Sequence, residues 1–211
     1  MNALGRRGAV KALGRLATPA RSLVPPGLLG YEPTTPSSPR ESLEADFESL
    51  EGLELRTAWH PVFDERYLGL RDELLTTLEG LGARVERRVG ILAELHRWSV
   101  QGDIDLILTR WAAVYPDADC FFTGLLSQHG GFLAGMLGGG DLETLIAEAR
   151  LEGDAALRHG LFRRLEERVT DQRLIRPLFH EHAYRFAQPG VEGLRLAVTA
   201  PQVRYDEILV R

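Results

Sequence analysis

The chain has 211 residues, enough to bury a substantial core as one domain or as one domain with appendages. Hydrophobic residues make up 44% and charged residues 26%, the balance of an ordinary globular protein, and a formal net charge of −5 leaves no basic footprint for nucleic acid. Cys120 is the sole cysteine, which excludes an intramolecular disulfide and a thiolate-rich zinc site.

No apolar run approaches the ~20 residues needed to span a bilayer, so direct membrane insertion is not expected. Up to residue 31 the chain carries Arg6, Arg7, Lys11, Arg15 and Arg21 and no acid before Glu32. Such a segment imitates an organelle transit peptide, but Gly5, Gly8 and Gly14 interrupt the apolar core that a secretory signal requires. Nothing in the chain as given would export it, which implies a cytoplasmic location if it is expressed in this form.

In chain order, residues 2 to 16 read as a short helix with Ala3, Leu4, Ala9, Val10 and Leu13 as its apolar positions. The prolines of "ATPARSLVPPGLLGYEPTTPSSP" deny backbone donors and predict an extended surface crossing or a linker. "RESLEADFESL" predicts a helix with Leu43, Phe47 and Leu50 on one face. "LELRTAW" (53–59) alternates with the two-residue period of a strand. Phe63, Tyr67, Leu70, Leu74, Leu78 and Leu81 form the stripe of one amphipathic helix, with Gly82 as its C-terminal cap. A strand over 83–89, a short helix in "ILAELHRWSV" and a nearly continuous apolar strand over 103–111 complete a βαβαβ unit.

Beyond it, "YPDADCFFTGLLSQHGGFLAGMLGGG" predicts loop and short helix. Asp141 is expected to cap a helix that turns Leu142, Leu145, Ile146 and Ala149 inward. A further helix over about 154–170 is read with Leu157, Leu161, Leu165 and Val169 inward and Arg163, Arg164, Glu166 and Glu167 in water. "LIRPLFHEHAYRF", "GLRLAV" and "YDEILV" read as closing strands.

Several constellations bear on chemistry. On a strand, His180 and His182 would share a face and reach one metal, yet zinc needs a further ligand from elsewhere. Structural histidines near a sheet edge explain the same residues. The glycines before Asp141 lack the lysine of a phosphate loop. Ser127 and His129 lie close without a visible supporting acid, and Cys120 sits among apolar residues as a small hydrophobe. The segment "DLILTRWAAVYPDADCFF" follows the third strand of the unit, and ligands of open α/β sheets gather at the carboxyl ends of strands. Trp111 and Tyr115 stand there, either as the wall of a pocket or, for Trp111, as a lid on the core.

The order of these stretches resembles the C-terminal half of the family 5 extracellular solute-binding proteins, bacterial receptors of peptide, nickel and oligosaccharide ABC importers. "TPARSLVPPGLLGYEP" is similar to the family's proline pair before Gly-Tyr, and "LRDELLTTLEGLGARVE" to its helix-glycine-strand unit. "GDIDLILTRWAAVYPDADCFF" is similar to its strand ending in tryptophan and an Asp-rich turn. "LETLIAEARLEGDAALRHGLFRRLEERVTDQRLIRPLFHEHAYRF" resembles its closing helices and strand, and "PGVEGLRL" its returning strand.

The resemblance implies an α/β, periplasmic-binding-protein-like lobe of a type II clamshell that performs no chemistry and carries no cofactor. Its segments would be 1–40 (helix and Pro-rich crossing), 41–185 (solute-binding lobe) and 186–211 (strands returning toward a missing N-terminal lobe). His180 and His182 would lie on a strand near the hinge. The implied partners are a small-molecule or peptide-like solute and an ABC transporter permease, in the periplasm or cell envelope. Oligopeptide-binding members place an acid three positions after the strand-end tryptophan to pair with the peptide's ammonium, and Val114 stands there. Trp111, with Tyr115 and Val114, is the expected ligand-binding set, and there is no catalytic or metal set. The alternatives are a ligand-sensing domain of a cytoplasmic transcription regulator or kinase, and a metal-dependent enzyme built on His180 and His182.

Overall fold

The computed structural model describes residues 6–14, 16–31, 49–136, 141–196 and 203–211. The helix predicted around Leu43 and Phe47 and the prolines of 32–40 lie outside the described residues.

The chain opens with α1 (Arg6–Leu13) and β1 (Ala17–Pro19), and then β2 (Glu54–Trp59) begins the βαβαβ unit. The stripe from Phe63 to Leu81 is not one helix. It divides into α2 (Val62–Glu65) and α3 (Leu68–Gly80), because Arg66 and Tyr67 leave helical dihedrals. The break places the Tyr67 ring edge-on to both Phe63 and Phe179, each 5.7 Å away. Its hydroxyl donates to Glu181 at 2.7 Å. Gly82 ends α3 as expected: its N–H donates to Glu79 and that of Ala83 to Leu78, at a φ of +96°. This paired bonding is the glycine-dependent Schellman closure.

After β3 (Arg84–Val89) come α4 (Leu92–Gln101) and β4 (Leu106–Leu108). The three strands form a parallel sheet in the order β3-β2-β4, so Trp59 of the central strand pairs with Val89 on one side and Leu108 on the other. The apolar run predicted as a strand over 103–111 is a strand only at Leu106–Leu108, in register with Thr57, Ala58 and Trp59. Successive residues of a strand face opposite sides. Accordingly Ala58 and Trp59 enter different cores. Trp59 packs with Ala9, Leu13, Phe63, Tyr67 and Leu70 under α1 and α3. Ala58 packs with Leu95, Phe122, Phe162 and Leu165 under the later helices.

Those helices are α5 (Asp119–Leu126), α6 (Asp141–Leu151) and α7 (Ala155–Asp171). Asp141 is already helical and bonds Arg168 at 2.9 Å, while Leu142, Leu145, Ile146 and Ala149 are buried as expected. The N-cap of α7 is Asp154, whose side chain accepts from the N–H groups of Ala156 and Leu157. Two readings of α7 are corrected. Leu157 is 62% exposed, and Glu166 is 5% exposed and faces the core beside Phe162, Leu165 and Val169. The Glu166 carboxylate accepts from the Leu23 N–H at 2.7 Å and the Ser22 hydroxyl at 3.2 Å. The Ser22 oxygen in turn accepts from the Val24 N–H. A helix charge thereby holds the segment that carries Leu23, Val24 and Leu28 into the core.

The closing stretches are less regular than their sequence suggests. Only β5 (Phe179–Glu181) forms within 174–186, antiparallel to β1. Next, β6 (Val191–Glu192) pairs with β7 (Leu209–Val210), Leu196 makes an isolated bridge to Val203, and Tyr205–Glu207 is a 3-10 turn.

Replacing Glu166 with Ala leaves the Leu23 N–H and Ser22 hydroxyl without this acceptor. An expected loss of ~1–3 kcal/mol follows, read from the denaturant midpoint. An unchanged midpoint would show that the clasp contributes nothing.

Candidate functional site

The carboxyl ends of β3 and β4 open onto a shallow depression of about 270 Å³. Leu92, Ala93 and His96 of α4 line one side. Trp111, Gly124 of α5, and Gly130 and Phe132 of the following loop line the other. The indole of Trp111 is fixed from several directions. Its Nε1–H donates to the Cys120 carbonyl at 3.1 Å, and its ring lies 5.9 Å from that of Phe132. Gly124 makes room for it, since a Cβ there would stand 2.7 Å from the Trp111 Cζ2 atom. Trp111 thus packs against the core and also lines the depression.

Val114 and Tyr115 lie beyond this lining. Val114 is 68% exposed, and its N–H donates to the Cys120 Sγ at 3.3 Å. The Tyr115 hydroxyl donates to Asp119 at 2.7 Å, and burial together with that carboxylate holds the phenol well above its ordinary pKa. The acids nearby are engaged. Asp117 takes a bidentate pair from Arg158 at 2.6 and 2.9 Å, and Asp119 also accepts from Thr123.

Leu92, His96, Gly124, Gly130 and Phe132 were not singled out from sequence. A glycine inside the apolar helix "DCFFTGLL" was the available signal, because such a residue marks a close approach. Glu143 was also missed. It supplies the acid not visible beside Ser127 and His129: it accepts from the Ser127 hydroxyl at 3.1 Å, the Gln128 N–H at 2.8 Å and the His129 Nδ1–H at 3.2 Å. Serine and histidine both donate to one carboxylate oxygen, so the histidine is not placed to take the serine's proton. The arrangement holds the loop that leads to Gly130 and Phe132.

His180 and His182 do not converge on a metal. His180 donates through Nε2 to the Ser22 carbonyl at 3.1 Å, and His182 contacts the Thr18 hydroxyl at 2.7 Å. Burial lowers the His180 pKa, partly offset by its bond to Ser22. Among the described residues no three His, Cys, Asp or Glu side chains gather as a metal site, and no helix is long and apolar enough to cross a membrane.

This parallel βαβαβ sheet, flanked by helices on both faces, has the fold of periplasmic solute-binding proteins. The murein tripeptide binding protein MppA of Escherichia coli superposes with a TM-score of 0.74 at 19% identity, over 97% of this chain and 42% of that one. HbpA2 of Haemophilus parasuis gives 0.76 at 18% identity, over 99% and 43%. A dipeptide binding protein of a Pseudoalteromonas species, solved with Met-Leu, gives 0.71 at 20% identity, over 98% and 45%. The chain thus spans less than half the length of these proteins, and the fold expected from the family resemblance is the fold observed. No family model and no curated protein matches the sequence.

Burial pushes the Glu143 carboxyl up, but the bonds from Gln128, His129 and Ser127 outweigh it and leave the pKa below the ordinary value. A depressed carboxyl stabilises the fold above its unfolded-state pKa, and that contribution is lost as pH falls through the folded value. The Gln128 amide proton should therefore titrate below the usual glutamate range in NMR spectra, and Glu143→Gln should abolish the titration. A midpoint in the ordinary range would contradict the clasp.

Proposed function

We propose that the chain forms one solute-binding lobe of a receptor serving an ABC importer, capturing a small-molecule or peptide-like solute without transforming it. The observation that carries this reading is the Trp111 depression at the carboxyl ends of a parallel sheet whose structural neighbours include a murein tripeptide binding protein and a dipeptide binding protein. Trp111 is the proposed ligand contact, an indole immobilised before any solute arrives. Val114 and Tyr115 form an outer rim, where a valine offers no charge to an ammonium group.

A second lobe is part of the proposal. The matched part of each neighbour is 42–45% of its length. Phe186 is 90% exposed, and Tyr184, Leu209 and Val210 are exposed as well. Apolar surface of this kind suits an inter-lobe contact. The importer permease and a location in the cell envelope belong to the same proposal, through the sequence resemblance.

Native mass spectrometry against a mixed pool of short peptides tests the reading. A retained peptide should bind at least about tenfold more weakly to Trp111→Ala by calorimetry, a loss of ~1.4 kcal/mol, with the circular dichroism spectrum unchanged. If no peptide is retained, or if the variant binds equally well, this chain does not hold a peptide-like solute against Trp111.

A further inference from the structure

Helix α4 brings to the depression one side chain that can do more than pack. Leu92 and His96 stand four residues apart, on one face of the helix, and both line the cavity of about 270 Å³. The His96 ring stacks on that of Phe132, with centroids 6.2 Å apart and planes at 30°. Phe132 lies in turn 5.9 Å from Trp111. An imidazole and an indole thus flank the phenyl ring, and all three line the depression.

The two nitrogens of His96 are not equivalent. Nδ1 lies 3.0 Å from the Phe132 carbonyl oxygen, which can only accept, so the neutral ring carries its proton on Nδ1. Nε2 then presents a lone pair, and among the described residues nothing donates to it. The other polar side-chain atom of the lining, the Trp111 Nε1–H, is engaged by the Cys120 carbonyl. Leu92, Ala93, Gly124, Gly130 and Phe132 supply no polar side chain. The lining therefore holds one uncommitted polar side-chain atom, and that atom is an acceptor. It holds no carboxylate and no arginine or lysine. An ammonium would find no counter-ion there, and a carboxylate would face the lone pair of Nε2.

We propose that His96 is the specificity-determining acceptor of this depression. Its Nε2 would accept a hydrogen bond from a flat apolar group of the solute that bears one neutral N–H, with the body of that group against Trp111 and Phe132. A group of the same shape without the N–H would displace water from Nε2 and return no bond, which is how a committed polar atom rejects an isostere. The inference rests on the solute-binding reading of the depression and names the kind of group it selects.

The test is an NMR titration of the full chain, its ring nitrogens isotopically labelled, with indole and separately with benzofuran, which has an oxygen in place of the N–H. Mildly alkaline buffer keeps imidazoles neutral. The His96 Nε2 signal is assigned by its loss in His96→Phe, and the Trp111 indole signal by its loss in Trp111→Phe. Indole should move the Nε2 signal saturably and bind at least about tenfold more tightly than benzofuran. His96→Phe keeps an aromatic ring beside Phe132 and should bind benzofuran as before, with indole reduced to the same affinity. If both ligands move the Trp111 signal with equal affinity while Nε2 stays still, the depression takes apolar groups and the acceptor is wrong. A preference for indole that persists in His96→Phe also overturns the acceptor and leaves His96 as a support for Phe132. If neither ligand moves either signal, the acceptor and the Trp111 reading fall together.

Discussion

A single buried carboxylate decides how the N-terminal segment meets the rest of the chain. Glu166 projects from the core face of α7 and accepts from the backbone of Leu23 and the hydroxyl of Ser22. A charge in that position is costly unless strong donors satisfy it. Once they do, it fixes the segment closely, because removing either partner leaves the other stranded. Ser22 is the junction of a longer relay, since its carbonyl takes the His180 Nε2–H. His180 belongs to β5, which pairs with β1 just ahead of Ser22. Helix α7, the N-terminal crossing and β5 are thereby tied at one residue, and the two histidines of "FHEHAYRF" find their roles as structural donors and contacts.

The sheet depends on a second constraint, the sharing of β2 between two cores. A strand covered on both faces places Ala58 under one set of helices and Trp59 under the other. The polar groups that such burial traps are satisfied locally: the Trp59 Nε1–H donates to the Thr57 hydroxyl at 2.7 Å, and that hydroxyl donates to the Glu86 carbonyl. On the outer side, Asp64 accepts from both Arg71 and Arg87, and Arg87 lies 5.2 Å over the Trp59 ring. The carboxyl end of β2 is therefore held firmly by sheet, rings and charges. The loops that leave it and its neighbours start from fixed points, which is what a binding site at that end requires.

The sequence was most legible where a period meets a stop signal. Alternation in "LELRTAW" located β2, and Gly82 marked the end of α3 because its left-handed backbone suits glycine. The reading of α7 failed for a geometric reason. Residues four apart advance 400° on a helix of 3.6 residues per turn, so a stripe at that spacing drifts about 40° per step. Leu157 consequently swings out to solvent while Phe162 and Glu166 come in. Treating every charge as solvated hid the Glu166 clasp, since its partners lie 143 and 144 residues away. The depression was half legible. Trp111 was found from its place after a strand, whereas Leu92, His96 and Phe132 reach it by folding and carry no local signature.

What the depression lacks bears on how such a lobe works. Ligand pockets commonly bury 70–90% of a small ligand, and a shallow, open wall cannot do so alone. Its contribution is preorganisation. The Trp111 ring is held by the Cys120 carbonyl, by the gap at Gly124 and by Phe132, and Phe132 in turn receives the His96 Nδ1–H on its carbonyl at 3.0 Å. On the proposed solute-binding reading, none of these groups would have to be ordered on binding, and the entropy cost would fall mainly on the solute and on whatever covers its other side. If the proposed second lobe closes over this wall, the closing movement adds contacts to a surface already in place.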